Sequence, residues 1–149
     1  MKLFVFTFLA VLLAFISCKE SPTENNNVSE TSIEILYLAP ESETTITSND
    51  TIIATLRYSI ADDIQSEFGF SISIKFTSTL EGRTFSIGPN STIELTERDG
   101  DVTLDYPLDL IWNHSDLKHP ISCYFYLHKY TSETTSSVLA KTSEINYYE

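Results

Sequence analysis

From residue 33 onward, apolar side chains recur at every second position. In residues 51–60, Ile52, Ala54, Leu56, Tyr58 and Ile60 share one phase, and Thr51, Ile53, Thr55, Arg57 and Ser59 share the other. A period of two is the mark of a β-strand, because successive side chains point to opposite faces. Residues 68–76 repeat it, with Phe68, Phe70, Ile72, Ile74 and Phe76 inward and Gly69, Ser71, Ser73 and Lys75 outward. Further strands are predicted over residues 33–38, 83–87, 92–96, 102–110 and 121–130. A last, less regular one is expected over 138–148. Pro107 falls on the outward phase of its segment, which points to an edge strand or a bulge. Asp99-Gly100 between two strands is a hairpin signal.

Seven or eight short strands at roughly ten-residue spacing, with turn residues between them and no convincing helix, predict an antiparallel β-sandwich. One face of each strand packs on a core and the other meets water, as such sheets require. The order and length of the strands over residues 33–149 resemble an immunoglobulin-like or fibronectin type III domain. The Cys…Trp…Cys core of antibody domains is absent, since Trp112 falls in a loop over residues 112–120. The resemblance would give Tyr124, near the start of the penultimate strand, a tyrosine-corner role.

The pattern before residue 33 is different. Lys2 precedes an apolar run over residues 3–16, interrupted only by Thr7, which ends in Ser17-Cys18. A positive start, a short apolar stretch and a small residue at the cut are the parts of a secretory signal peptide. The run falls short of the roughly 20 residues that a permanent bilayer span needs. It resembles a bacterial lipoprotein signal, in which an aliphatic residue, a variable residue and a small residue precede the lipidated cysteine. Ser17 and Cys18 match that pattern, and Phe15 stands where Leu is usual. The resemblance implies that residues 1–17 are removed and that the Cys18 thiol takes the diacylglyceryl group. The following Lys19-Glu20 is a weak likeness of the surface-export signal of Bacteroidota lipoproteins. The implied location is the cell envelope, as an outer-membrane lipoprotein facing either the periplasm or the outside. Multiple acyl chains hold a protein firmly where one chain does so only marginally.

Residues 19–32 carry Ser, Pro, Thr, Glu and three consecutive Asn, with Val28 the sole large apolar side chain. Such a stretch cannot bury enough surface to offset the cost of ordering it. It reads as a tether reaching at most about 50 Å and averaging nearer 20 Å. The chain therefore divides into a leader over residues 1–17, a lipidated Cys18 with its tether over 18–32, and one β domain over 33–149.

Composition narrows the function. The 149 residues are 42% hydrophobic, enough for one core, and carry a net charge of −12. That charge disfavours nucleic acid, and it would repel an anionic lipid surface as well, so the lipid itself must hold the protein at a membrane. With Cys18 acylated, Cys123 has no disulfide partner, and its place in an alternating strand reads as a small buried hydrophobe.

No motif for nucleophilic or metal catalysis is present. His114 and His119 share a loop without the further ligands that zinc needs. Glu97, Asp99 and Asp101 crowd one turn and Asp62-Asp63 another; both suit tight turns and neither matches a calcium loop. No cofactor and no metal site is expected. Asp50-Thr51-Ile52 resembles the O-glycosylation acceptor of Bacteroidota, and Asn49, Asn90 and Asn113 begin Asn-x-Ser/Thr triplets. The most distinctive surface prediction is aromatic. In residues 121–130, Ile121, Cys123, Phe125 and Leu127 take the core phase. Tyr124, Tyr126, His128 and Tyr130 line the opposite face, with Tyr147 and Tyr148 on a neighbouring strand. Tyrosine offers flat apolar area with a hydroxyl, which suits a protein or carbohydrate partner, although tyrosine is also simply a good strand former. The chain thus reads as a non-enzymatic, lipid-anchored binding, adhesion or assembly module. The alternative is a glycan hydrolase using a carboxylate pair, Asp62 with Asp63 or Asp99 with Asp101.

Overall fold

A computed structural model describes residues 30–149. Ten strands run in chain order: β1 (Ser32–Ala39), β2 (Thr44–Thr45), β3 (Thr51–Ser59), β4 (Phe70–Thr77), β5 (Thr84–Phe85), β6 (Thr92–Leu95), β7 (Asp99–Pro107), β8 (Ile121–Tyr130), β9 (Ser136–Lys141) and β10 (Ile145–Tyr148). They form two sheets. The smaller has the order β1-β3-β7, antiparallel throughout. The larger is built on the long pairing of β4 with β8. On the far edge of β4, β6 pairs with its first half and β5 with its end. On the far edge of β8, β10 pairs with its start and β9 with its end. A two-residue parallel contact adds β2 to β10.

The expected all-β sandwich is present, with more segments than the alternation predicts. The irregular last strand divides into β9 and β10, and β2 is a short addition. Thr142 marks the division: it is buried, donates its backbone N–H to the Phe125 carbonyl, and its hydroxyl accepts from the Phe125 N–H. It thereby satisfies the β8 backbone where regular pairing stops.

Three local expectations are corrected. The Asp99-Gly100 dipeptide does not close a hairpin between β6 and β7. β6 belongs to the larger sheet and β7 to the smaller, so the chain crosses between sheets at that point. Gly100 lies in the β3–β7 ladder opposite Tyr58 with φ +148°, a backbone that side-chain-bearing residues rarely adopt. Residues 108–110 are not strand but one 3₁₀ turn, Leu108–Leu110, that leaves β7 after Pro107. β7 is an edge strand, as Pro107 predicts. Finally, Tyr124 makes no corner bond: its ring lies on the outer face of β8. The backbone-directed hydroxyls are those of Tyr106, Tyr147 and Tyr58, which donate to the carbonyls of Ile87 (3.0 Å), Pro40 (2.9 Å) and Glu97 (3.3 Å).

The core lies between the sheets. Ile52, Ala54 and Leu56 of β3 and Leu104 and Tyr106 of β7 face Ile72, Ile74 and Phe76 of β4 and Phe125 and Leu127 of β8, all essentially inaccessible. Phe76 and Tyr106 meet across the gap with ring centroids 5.1 Å apart. Each of the large aliphatic and phenylalanine side chains among them stabilises the fold by roughly 1.5–3 kcal/mol through burial. Cys123 is fully buried in this layer and unpaired, and burial pushes its thiol pKa far up, which keeps it protonated and inert.

Candidate functional site

The aromatic row on β8 stands where the alternation puts it, on the face of the larger sheet that points away from the core. Its rings form a continuous series. Tyr124 meets Tyr126 edge-on at 6.3 Å, Tyr126 stacks on His128 at 4.5 Å with an interplanar angle of 20°, and His128 meets Tyr130 edge-on at 5.2 Å.

The row is not uniformly exposed. Tyr126 is 7% and His128 only 2% accessible, whereas Tyr124 and Tyr130 at its ends are half-buried. The cause lies on the neighbouring strand. In register, Ser71 stands opposite His128 and Ser73 opposite Tyr126. These short side chains leave room for the rings to lie down over β4, and both serines are buried beneath them rather than free on the surface. Ser73 Oγ shares hydrogen bonds with His128 Nε2 (3.0 Å) and with Thr92 Oγ1 on β6 (2.7 Å), which ties three strands together. His128 Nδ1 and Ser71 Oγ are buried without a partner.

Two lysines complete the face. Lys75 Nζ lies 5.4 Å from the centroid of Tyr126, and Lys141 Nζ lies 5.6 Å from that of Tyr124. Burial, and then the charge of Lys75, lowers the His128 pKa to about 4, so the imidazole is neutral at physiological pH. Burial raises the Tyr126 pKa. Toward the start of β8 the same face dips into a depression of about 290 Å³ lined by Thr77, Lys118, Pro120, Ser122, Glu144 and Asn146. The sequence does not mark this depression, because its lining comes from three separate stretches, at residue 77, residues 118–122 and residues 144–146.

The other candidate residues are dispersed. Tyr147 turns inward and is fully buried; Tyr148 is exposed and donates to the Glu43 carboxylate. His114 packs on Phe85 with ring centroids 4.8 Å apart, while His119 pairs with the Glu149 carboxylate and meets Trp112 edge-on. The two histidines are thus engaged by different partners. Arg57 lies directly opposite Asp101 and grips it with two hydrogen bonds, Nε at 2.9 Å and Nη2 at 3.2 Å, with Glu34 3.8 Å from the guanidinium. This is a charge ladder across the outer face of the smaller sheet. Asp62 and Asp63 sit on an exposed loop whose backbone is held from inside by Arg98. That guanidinium donates to the carbonyls of Ala61 and Ile64 (2.9 Å for the latter) and lies 5.7 Å from the Phe70 ring centre. Asp50 caps its own turn, accepting from Thr47 N–H (2.6 Å) and Thr47 Oγ1 (2.9 Å), while Thr51 is half-buried at the start of β3. Among the described residues no group of three His, Cys, Asp or Glu side chains is close enough to share a metal ion. Cys18, the leader and most of the tether lie outside the described residues.

Neither a protein-family model nor a curated protein sequence matches this chain. Among solved structures, the chain is similar to the sensor domain of the anti-sigma factor RsgI4 of Pseudobacteroides cellulosolvens. The TM-score is 0.42 and the identity 13%, over 81% of this chain and 97% of that one.

Proposed function

We propose that the protein is a lipid-anchored, non-enzymatic module of the cell envelope, an outer-membrane lipoprotein whose β-sandwich engages a protein or carbohydrate partner. The observation that carries this reading is the apolar run over residues 3–16 closing on Ser17-Cys18 and followed at once by a polar tether. The fold is compatible with it. The sandwich closes its core between its own two sheets, and among the described residues no helix is long and apolar enough to cross a membrane. Attachment therefore falls to Cys18, and partner contact to the outer faces of the sheets. The ring-lined face around Tyr124, Tyr126, His128 and Tyr130 is the first of these, its accessible parts being Tyr124, Tyr130 and the flanking lysines.

Mass spectrometry of the mature N-terminus tests the anchor. The expected result is a chain that begins at Cys18 and carries a diacylglyceryl group, and Cys18→Ala should move the protein out of the membrane fraction. An intact leader or an unmodified thiol overturns the reading.

A further inference from the structure

We propose that the outer face of the larger sheet, along β8 from the depression at Ser122 to the end of the tyrosine row, binds an acidic glycan with sparse charge, such as a chain of uronic acids. The inference deepens the preceding reading and rests on it for the premise that this face meets a partner.

The ammonium groups of Lys75 and Lys141 are the first reason. The domain is strongly acidic, yet among the described residues neither group has a carboxylate within ion-pair distance, whereas Arg57 and Arg98 both do. Lys75 stands opposite Tyr124 and Lys141 opposite Tyr126, on the two strands that flank β8. Each reaches across to the tyrosine diagonal to its own position, so the two charges straddle the Tyr124–Tyr126 pair. A cation held over a ring is partly ordered before any ligand arrives.

The depression is the second reason. Its lining adds a third lysine, Lys118, together with Asn146, Thr77 and the carboxylate of Glu144. Ser122 Oγ lies buried beneath it without a hydrogen-bond partner among the described residues. From Ser122 to Tyr130 the face extends about 27 Å along the strand, the length of several sugar units.

Charge density selects among anions. The net charge of −12 repels duplex nucleic acid, with one charge per about 1.7 Å of axis, and the extended charged plane of an anionic bilayer. A polymer with one carboxylate per sugar meets less of that repulsion and brings the hydroxyls that the polar depression can bind. A neutral glycan that depends on stacking is disfavoured, because ammonium groups already lie over the Tyr124 and Tyr126 rings.

The test is affinity electrophoresis of the detergent-solubilised full chain in gels containing polygalacturonate, alginate or hyaluronate, with neutral galactan as control. At least one uronate polymer should retard the protein, and galactan should not. Combined Lys75→Ala and Lys141→Ala should weaken the retardation about ten-fold at an unchanged melting temperature. Lys118→Glu, in a loop, serves as the second variant and should weaken it too. Retardation by none of the three polymers overturns the inference. So does equal retardation by galactan, tighter binding to poly-L-glutamate, or wild-type binding by both variants. Cys18 acylation is a separate readout. An acylated chain that ignores uronates sinks only this inference, and an unacylated chain that binds them sinks only the anchoring.

Discussion

His128 is the residue on which the outer face of the larger sheet turns. It stacks on Tyr126, meets Tyr130 edge-on, is bonded through one nitrogen to Ser73 and is left without a partner at the other. Burial and the nearby Lys75 charge disfavour its protonated form, with a pKa lowered to about 4 against an ordinary value of 6.5. Below pH 6.5 the unfolded chain takes up a proton that the folded chain refuses. The stability tied to neutral His128 is therefore complete above about pH 6.5 and is lost as the pH falls toward 4, by an amount of order 2–3 kcal/mol. Urea unfolding at pH 7.5 and pH 4.5 tests this. The wild type should lose more stability between the two pH values than His128→Gln does, and equal losses would show that the imidazole is not held neutral. Arg98 makes a second residue-scale prediction. Its guanidinium bonds two loop carbonyls from a half-buried position. Arg98→Ala should cost about 2 kcal/mol in urea unfolding, the usual loss for hydrogen bonds from a charged donor. Because the contacts are local to the loop that follows β3, its amide protons should lose exchange protection first.

At the scale of elements, alternation locates β3 and β8 closely, because each buries one complete phase of its side chains; it is less exact for β1, where the bulge leaves Leu36 and Tyr37 exposed, and for β4, which begins at Phe70 and leaves Phe68, expected inward, exposed before Gly69. What alternation cannot say is which sheet a strand joins. Asp99-Gly100 has hairpin chemistry, but β6 finds its partner in β4 and β7 finds its partner in β3, so the dipeptide serves a crossing instead. Pairing of this kind is decided by contacts far apart in sequence. The aromatic row shows the same limit at the site. Its residues and its face are legible in residues 121–130. Its burial is not, since the cover depends on Ser71 and Ser73 coming into register from some 55 positions away. Strand β7 also shows how the smaller sheet protects its edge. Asp99, Asp101, Thr103 and Asp105 alternate along it, and Pro107 ends it. Charge and proline on an edge strand discourage pairing with a second molecule.

For the whole molecule, the core uses residues from Ile33 to Tyr147 and is closed by both sheets. A fragment starting at Glu30 is accordingly expected to unfold in one cooperative step, with a midpoint within about 2 °C of the full chain's; calorimetry of the two decides it. A markedly lower midpoint would mean that earlier residues contribute packing. The acidic surface and the proposed lipid then have separate tasks. Like charge disfavours association between neighbouring copies, and the proposed acyl group would keep the domain in place.

The first strand, β1, lies at the edge of the smaller sheet, and its regular pairing is one ladder to β3 that runs from Ser32 opposite Ser59 to Ala39 opposite Ile53, with a bulge at Leu36. A pull delivered through the tether enters the domain at Ser32. With the opposing grip on the larger sheet, the force runs along the axis of β1, and the ladder is loaded in shear, its hydrogen bonds sharing the tension. A pull directed sideways from the sheet edge would break the same bonds one at a time, like a zip. The mechanical strength of this protein would then depend on the direction of the tug, and the bulge at Leu36 is where the seam would first give.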